Sequence, residues 1–230
     1  MKYIYVVISA TLTKFGRVIR RFGKIKYNHC AIAFDEELRY WYSFARRRHK
    51  AVLTGGLMKE HIRRYTLDTK EAINCMIFRI PVTDNRYREL KGIIKRIKTD
   101  NEYIYNLLSV LTYPVTKGII TRKAFTCTEF TVYMLIMAGL DFRKPICTYK
   151  PDELARRLEP FTYFKGNLAE YVKNGHNMET DYFNEISQYD VVESIRNVGR
   201  MVKRFPRGRF GTAQLPHTTR PKFRRYTHAG

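Results

Sequence analysis

The chain has 230 residues, of which 44% are apolar and 14% aromatic, and this is enough for one sizeable hydrophobic core. Its 43 Lys and Arg against 21 Asp and Glu give a net charge of +22, which attracts polyanions such as nucleic acid, anionic lipid or acidic wall polymers without selecting among them. The four cysteines show no CxxC pair or zinc-type spacing, and neither a signal peptide nor a run of about 18 apolar residues is found, so we expect a reduced, cytoplasmic protein without a metal, a cofactor or a transmembrane segment.

The first part of the chain predicts a strand, a helix and a hairpin. Residues 3–9 are rich in Val, Ile and Tyr and are typical of a buried strand. Thr13 is a candidate N-cap for a helix with apolar residues at helical spacing and a basic outer face. CAIAF and YWYSFA then predict a β-hairpin with His29 at its start and DEEL at its turn. The Gly55-Gly56 pair after it predicts a turn.

The following residues alternate between predicted strands and helices. MIFRIPV predicts a strand, and Asp84 is the expected cap of an amphipathic helix after it. EYIYNLLSVL predicts a second helix, and Cys127 opens a third that ends at Gly139. Pro151 begins a short helix, and FTYFK predicts the last strand.

The C-terminal segment has a different composition. From residue 200 to residue 230 it has nine Lys or Arg, three prolines and no Asp or Glu. A segment of this kind buries little apolar surface and is expected to be largely disordered. We therefore predict one globular domain over residues 1–198 and a basic tail over residues 199–230. The tail is a candidate tether for a polyanion, and docking of its aromatic residues onto the globule is the alternative.

Cys127 is the first candidate for chemistry. In FTCTEFTVYML it precedes about twelve residues of helical apolar pattern, which places its sulfur near a helix N-terminus. The helix dipole and free N–H groups there favour a thiolate, more so beside a positive partner. The best candidate for the base is His29, although a buried apolar thiol and a structural strand histidine are the alternatives. Glu129 is expected to favour the first helical turn more than to face the site.

The sequence alone does not decide which residue orients the imidazole of His29. A three-residue hairpin turn places Ser43 beside His29 on one face, whereas a four-residue turn presents Phe44, which cannot accept a hydrogen bond. Ser43 is thus the third candidate, with a strand hydroxyl bonded to backbone as the alternative. Cys30 points to the opposite face and is expected in the core, and the Cys127 N–H is a candidate oxyanion donor.

With NHCAIAFD first and FTCTEFTVYML later, the chain resembles the circularly permuted members of the NlpC-like, papain-fold cysteine hydrolases, the group that also contains lecithin:retinol acyltransferase-like enzymes. YSF on the second hairpin strand and PDEL after the Cys helix add to the resemblance, which covers residues 2–165. It implies Cys127 as nucleophile and His29 as base on an α+β, permuted papain-like fold whose central antiparallel sheet packs against the Cys-bearing helix. Many relatives have Glu, His or Gln on the strand after the histidine, where this chain has Tyr42 and Ser43.

Two functions follow from these observations. The paired motifs favour a cysteine-dependent hydrolase or acyltransferase that acts on a peptide amide or acyl bond through a Cys127 acyl-enzyme. The charge favours a basic nucleic-acid-binding or packaging protein on a catalytically inactive papain-like fold. The substrate and the acceptor of the acyl group stay open.

Overall fold

Residues 1–51, 53–67, 69–172 and 181–205 are described by the computed structural model of the protein. Its strands are β1 (Lys2–Ser9), β2 (His29–Ala33), β3 (Trp41–Arg46), β4 (Gly55–Lys59), β5 (Asn74–Val82), β6 (Ile104–Tyr105), β7 (Ala124–Phe125) and β8 (Thr162–Asn167). Its helices are α1 (Lys14–Gly23), α2 (Arg63–Thr66), α3 (Asp84–Thr99), α4 (Leu107–Thr116), α5 (Cys127–Ala138), α6 (Pro151–Arg157), α7 (Leu168–Tyr171) and α8 (Gln188–Arg204).

A six-stranded sheet forms the centre of the fold. Its strand order is β4-β3-β2-β1-β5-β8, and each neighbouring pair is antiparallel. The apolar strand β1 lies between β2 and β5 and is buried from Ile4 onward, which explains its continuous run of Val and Ile. The predicted α+β class with a central antiparallel sheet is confirmed.

The main hydrophobic core lies between this sheet and two helices. Helix α5 packs against β2 and β3, and α3 packs against β1 and α5. Of the five residues predicted on the apolar face of α3, Leu90, Ile93, Ile94 and Ile97 are buried and Tyr87 is partly buried. Burial of such an aliphatic side chain stabilises the fold by about 1.5–3 kcal/mol. The opposite face of the sheet carries a smaller cluster in which Trp41 and Tyr65 stack with ring centroids 4.9 Å apart.

The β2–β3 hairpin has a longer loop than either predicted turn. Ala33 pairs with Trp41, and Asp35 holds the loop by accepting hydrogen bonds from two loop N–H groups at 2.8 Å each. The predicted pairing of Ser43 with His29 across the hairpin is therefore wrong, because neither the three-residue nor the four-residue turn occurs.

The Gly55-Gly56 pair begins β4, so the prediction of a turn there is also wrong. A Cβ atom on Gly55 would lie 2.7 Å from the carbonyl oxygen of Ala45 and 2.9 Å from the Cβ of Tyr105. The missing side chain therefore lets β4 approach both β3 and β6 closely. This strand leads directly to Glu60.

Two helix starts differ from the expectation. In EYIYNLLSVL, Ile104–Tyr105 form β6, and α4 begins at Leu107 after the N-cap Asn106. The amide of Asn106 explains the break, because its Oδ1 accepts a hydrogen bond from the N–H of Ser109 at 3.2 Å. At α3 the N-cap is Thr83, and Asp84 is the first helical residue.

Helix α8 crosses the predicted boundary at residue 198 and runs to Arg204. Arg200 and Arg204 anchor its last turns by donating hydrogen bonds to the backbone carbonyls of Asn101 at 2.9 Å and Glu102 at 3.0 Å. The rest of the predicted tail, residues 206–230, lies outside the described residues.

Candidate active site

A capping box fixes the start of α5. Thr126 Oγ1 accepts a hydrogen bond from the N–H of Glu129 at 3.1 Å, and the Glu129 carboxylate accepts one from the N–H of Thr126 at 2.7 Å. Cys127 is therefore the first helical residue, as predicted, and Gly139 ends the helix in the left-handed conformation with φ of 106°. Glu129 thus caps the helix.

His29 is the first residue of β2 and faces the start of α5. Its ring meets Tyr65 edge-on, with centroids 5.4 Å apart, and it interacts with the side chain of Cys127 by charge and by a hydrogen bond. The structure thus brings together the two residues predicted to meet across the seam between helix and sheet, although 98 positions separate them.

A third residue, Glu60, completes the site and was missed from the sequence. Glu60 Oε1 accepts a hydrogen bond from Nε2 of His29 at 2.9 Å, so Nδ1 is the ring nitrogen that remains for the sulfur. The side chain of Glu60 is 2% exposed against 14% for His29, which puts the carboxylate behind the imidazole. The backbone fixes it there, because its N–H donates to the carbonyl of Trp41 at 2.9 Å.

Ser43 contacts the site through Glu60. Its hydroxyl donates to the same oxygen, Oε1, that binds His29, and the serine is fully buried. The hydroxyl of Ser43 therefore bonds to a side chain, whereas the alternative expectation is a bond to the backbone. Ser43 thus helps to position the carboxylate of Glu60, which in turn binds the imidazole of His29.

Charge pairing reverses the effect of burial on the two reacting groups. Burial on its own lowers the pKa of His29 and raises that of Cys127, because it disfavours both charges. The mutual attraction and hydrogen bond of the pair, with Glu60 adding to it, instead raise the pKa of His29 to about 10. The pKa of Cys127 is lowered below its ordinary value by His29 and by the backbone N–H of Cys30. The two groups therefore favour each other's charged form, a thiolate at Cys127 and an imidazolium at His29.

Glu60 stays negative because a second cation faces it. Burial raises its pKa, but the charge of Arg64 and then the bond to His29 lower it to about 2. Arg64 Nε lies 3.2 Å from Glu60 Oε2, and its Nη2 donates to the carbonyl of Arg46 at 2.6 Å. The guanidinium also lies 4.5 Å from the ring centre of Tyr182.

Two further residues adjoin the thiolate. The pKa of Tyr105 is raised by burial first and then by the charge of Cys127, so its hydroxyl keeps its proton and can donate. Burial also raises the pKa of Cys30, whose sulfur lies 3.7 Å from Oγ1 of Thr128. Cys30 is thus a neutral core thiol, as predicted from its place in the strand.

Comparison with known proteins identifies no relative, so the site is interpreted from its own geometry. No family model, curated protein or solved structure matches this chain. Within the described ranges, no group of three or more His, Cys, Asp or Glu is arranged to hold a metal ion. No helix among these residues has the length and apolarity to cross a bilayer.

The thiol borders two hollows of different character. One is a cleft of mixed lining, in which Thr11, Asn28, Arg46 and Glu60 lie among aromatic and aliphatic side chains. The other is an apolar groove between α1 and α4. Cys127 therefore borders one hollow that carries charged side chains and one that is almost wholly apolar.

Proposed function

We propose that the protein is a cysteine-dependent hydrolase or acyltransferase that acts on a peptide amide or acyl bond through an acyl-enzyme at Cys127. The observation that carries the proposal is the ordered chain from the sulfur of Cys127 through His29 to the buried carboxylate of Glu60. Each member has the role that thiol catalysis needs: nucleophile, proton carrier and orienting group.

The reaction follows from the charge states. The Cys127 thiolate attacks the carbonyl carbon, a C–S bond forms, and the carbonyl π electrons move to oxygen. The N–H of Cys127 and the hydroxyl of Tyr105, a residue that lines both hollows beside Cys127, are the candidate donors to that oxyanion. As the tetrahedral intermediate collapses, the bond to the leaving group breaks and His29 gives its proton to the leaving nitrogen or oxygen.

The second half of the reaction returns the site to its starting state. A water molecule, or another nucleophile, gives a proton to the now neutral His29 and attacks the thioester carbon. The C–S bond breaks, the acid or the transferred acyl product leaves, and the thiolate of Cys127 re-forms beside the imidazolium.

The energetic character of the site supports a functional origin. Burying several charges costs several kcal/mol per ion before pairing, and well-packed apolar residues often serve stability as well or better. Here Glu60, His29, Arg64 and Cys127 are all buried or nearly so, with pKa values of Glu60, His29 and Cys127 shifted toward their charged forms. Such shifts concentrate where chemistry requires them.

The proposed family is the permuted NlpC-like, papain-fold group. The order of the motifs, histidine strand before cysteine helix, supports it, as does the packing of α5 on an antiparallel sheet. Glu60 supplies the carboxylate that is missing from β3, where Tyr42 and Ser43 stand.

Selective alkylation tests the proposed pair without knowledge of the substrate. An ordinary thiol of pKa near 8.5 is about 0.3% thiolate at pH 6, whereas His29 lowers the pKa of Cys127 and so raises its thiolate fraction. Iodoacetamide at pH 6 should therefore label Cys127 well before the other three cysteines, as read by peptide mapping. His29→Ala should slow this labelling at least tenfold, and Cys30→Ala should leave it unchanged. Equal rates in the wild type and His29→Ala would remove His29 from the site.

Turnover tests the reaction itself. A panel of small esters, thioesters and peptide amides should reveal a hydrolytic activity that Cys127→Ser lowers by roughly 10³-fold or more, since the nucleophile is lost with little change in volume. An activity retained within a few-fold in Cys127→Ser, with an unchanged circular dichroism spectrum, would contradict the mechanism.

Polyanion binding is a second candidate function, favoured by the net charge of +22. The outer face of α1 exposes Lys14, Arg17 and Arg21, while Arg20 turns inward and donates to the carbonyl of Thr11 at 2.6 Å. Retention on duplex DNA should then fall steeply with salt. Cys127→Ser should leave that retention unchanged, which separates the two functions.

A further inference from the structure

An apolar groove runs between α1 and α4, and Cys127 is part of its wall. Its cavity volume is about 330 Å³. Helix α1 contributes Phe15 and Ile19, and α4 contributes Val110 and Pro114. Among the described residues that line the groove, Lys150 is the single Lys, Arg, Asp or Glu. The groove is thus poor in charged residues, although the protein as a whole has a net charge of +22.

The rim of the groove is apolar and open to solvent. Val18 and Phe22 on α1 are 51% and 78% exposed, and Leu111 on α4 is 62% exposed, yet all three also line the groove. Val115, one turn further along α4, is 87% exposed. Surface helices normally turn such side chains inward, and a contiguous exposed apolar patch marks a site of interaction.

We infer that this groove binds the aliphatic chain of an acyl substrate and places its carbonyl carbon at the sulfur of Cys127. The inference rests on the proposed function and selects among its substrates. A peptide carries an N–H and a C=O at each residue, which need partners when water is removed. An alkyl chain needs none, and each methylene buried adds roughly fourfold to binding.

The basic residues of helix α1, which lie outside the groove lining, and Lys150 bear on the head group of the substrate. Helix α1 has Lys14, Arg17, Arg20 and Arg21 and no acidic residue, and Lys150 lies in the wall. These charges favour an amphiphile with an anionic or neutral head group over a cationic one.

The covalent step is balanced by groups already present. The Sγ–C bond to the acyl carbon forms as the bond from that carbon to the leaving oxygen or nitrogen breaks, and the leaving group takes the proton of His29. Water then supplies the hydroxyl of the released fatty acid and returns a proton to the imidazole. No oxidant or further co-reactant is needed.

N-alkyl iodoacetamides of increasing chain length provide a probe of the groove. Each reagent alkylates Cys127 with the same chemistry. The rate with the parent compound, iodoacetamide, therefore measures the reactivity of the thiolate, and the change in rate along the series measures binding of the alkyl chain. Below the micellar concentration, the second-order rate should rise up to about fourfold per methylene and level off once the groove is filled. A stopped assay with intact-mass detection measures it.

Two charged substitutions on the rim test the location. Leu111→Glu and Phe22→Glu change exposed side chains, so the fold should tolerate them. Both should flatten the dependence on chain length while leaving the rate with iodoacetamide within twofold. The matched control is Ile195→Glu, which places a charge on an apolar residue of α8 that is 69% exposed and absent from the lining. It should behave as the wild type does.

The outcomes separate this inference from the proposed function. Selective reaction of Cys127 with iodoacetamide but no gain with chain length overturns the groove and leaves the thiol chemistry standing. A gain that survives both rim substitutions also overturns it, because the chain then binds elsewhere. If Cys127 does not react selectively, the proposed function fails, and the groove is judged by binding of a dansyl-labelled undecanoic acid to Cys127→Ala. Binding weakened at least tenfold by Leu111→Glu supports the groove, and absent or unaffected binding overturns it.

Discussion

Two buried glutamates, one bonded to His29 and one two residues after Cys127, have opposite charge behaviour. Glu60, at the end of β4, and Glu129, in the first turn of α5, both accept several hydrogen bonds, and their side chains are almost fully buried. The pKa of Glu60 is lowered to about 2, because burial, which raises it, is outweighed by Arg64 and His29. The partners of Glu60 are cations.

The partners of Glu129 are neutral. Its carboxylate accepts hydrogen bonds from the N–H of Thr126, from the hydroxyl of Ser109 at 3.0 Å and from the amide of Asn106 at 3.3 Å. Burial raises its pKa to about 7 against these bonds. The two carboxylates are buried to a similar extent, so burial does not explain the difference between their pKa values. The difference arises because a positive charge faces Glu60 and, among the described residues, none faces Glu129. Only the carboxylate on the side of β4 is a permanent anion that can hold an imidazolium.

The largest expected effect is on activity. Glu60→Gln keeps the shape of the side chain but removes the charge that orients His29 and stabilises its protonated form. We expect kcat/KM for a hydrolysed ester to fall by roughly 10²- to 10⁴-fold, as when the carboxylate of a Ser-His-Asp site is replaced by its amide.

Glu129→Gln is the matched control for that measurement. It makes the same chemical change at a carboxylate of equal burial, yet glutamine resembles the protonated form that the site already favours. Activity within about threefold of the wild type is expected. Equal losses in the two variants would contradict the assignment of Glu60 as the orienting group.

The next effect is on stability, and it has opposite pH dependence at the two sites. Glu129 has a folded pKa of about 7 against an unfolded value of 4.5, so it lowers the free energy of unfolding as the pH rises from 4.5 to 7, by about 3 kcal/mol in total. Glu60 has a folded pKa of about 2, so its contribution is present above pH 4.5 and is lost as the pH falls toward 2.

Urea unfolding of the wild type and both variants from pH 3 to pH 8 checks these signs. Relative to the wild type, Glu129→Gln should gain stability between pH 4.5 and pH 7. Glu60→Gln should be most destabilised above pH 4.5 and less so near pH 3. Parallel pH profiles for the two variants would show that the glutamates do not differ in charge.

The smallest effect is expected at Ser43. Ser43→Ala removes one donor to Glu60 Oε1 and leaves the bonds to His29 and Arg64 in place. We expect a three- to tenfold loss of kcat/KM and about 1.5–3 kcal/mol of stability, the usual range for a hydrogen bond to a charged group. Thr54→Ala deletes another fully buried hydroxyl, bonded to the carbonyl of Ala51 at 3.2 Å. It should lower stability without a comparable loss of activity.

Local sequence signals were sufficient to select Cys127 and His29, which the structure brings together, and insufficient for Glu60. Cys127 follows from the end of a polar stretch before a helical apolar run, and the pattern Thr126-x-x-Glu129 is itself a capping-box signature. His29 follows from its place at the start of a β-rich run. Both signals are carried by a few neighbouring residues.

Glu60 depends instead on pairing between distant residues. Gly55-Gly56 has low strand propensity and suggests a turn, and β4 forms because a close approach to Ala45 and Tyr105 requires residues without side chains. The position of Ser43 depends in a similar way on the length of the hairpin loop, which Asp35 sets through bonds to loop N–H groups. Strand pairing and loop length of this kind depend on tertiary contacts, which a local sequence pattern does not contain.

The separation of 98 positions between His29 and Cys127 makes the reactive thiol a product of complete folding. A nascent chain that has emerged as far as β6 carries His29 and Glu60 but no nucleophile, and α5 must close a long loop before its first residue meets β2. Until then Cys127 is an ordinary thiol, protonated and slow. Under the proposed function, the protein gains the ability to attack acyl groups when α5 packs on the sheet, and the nucleophile is inert before that point.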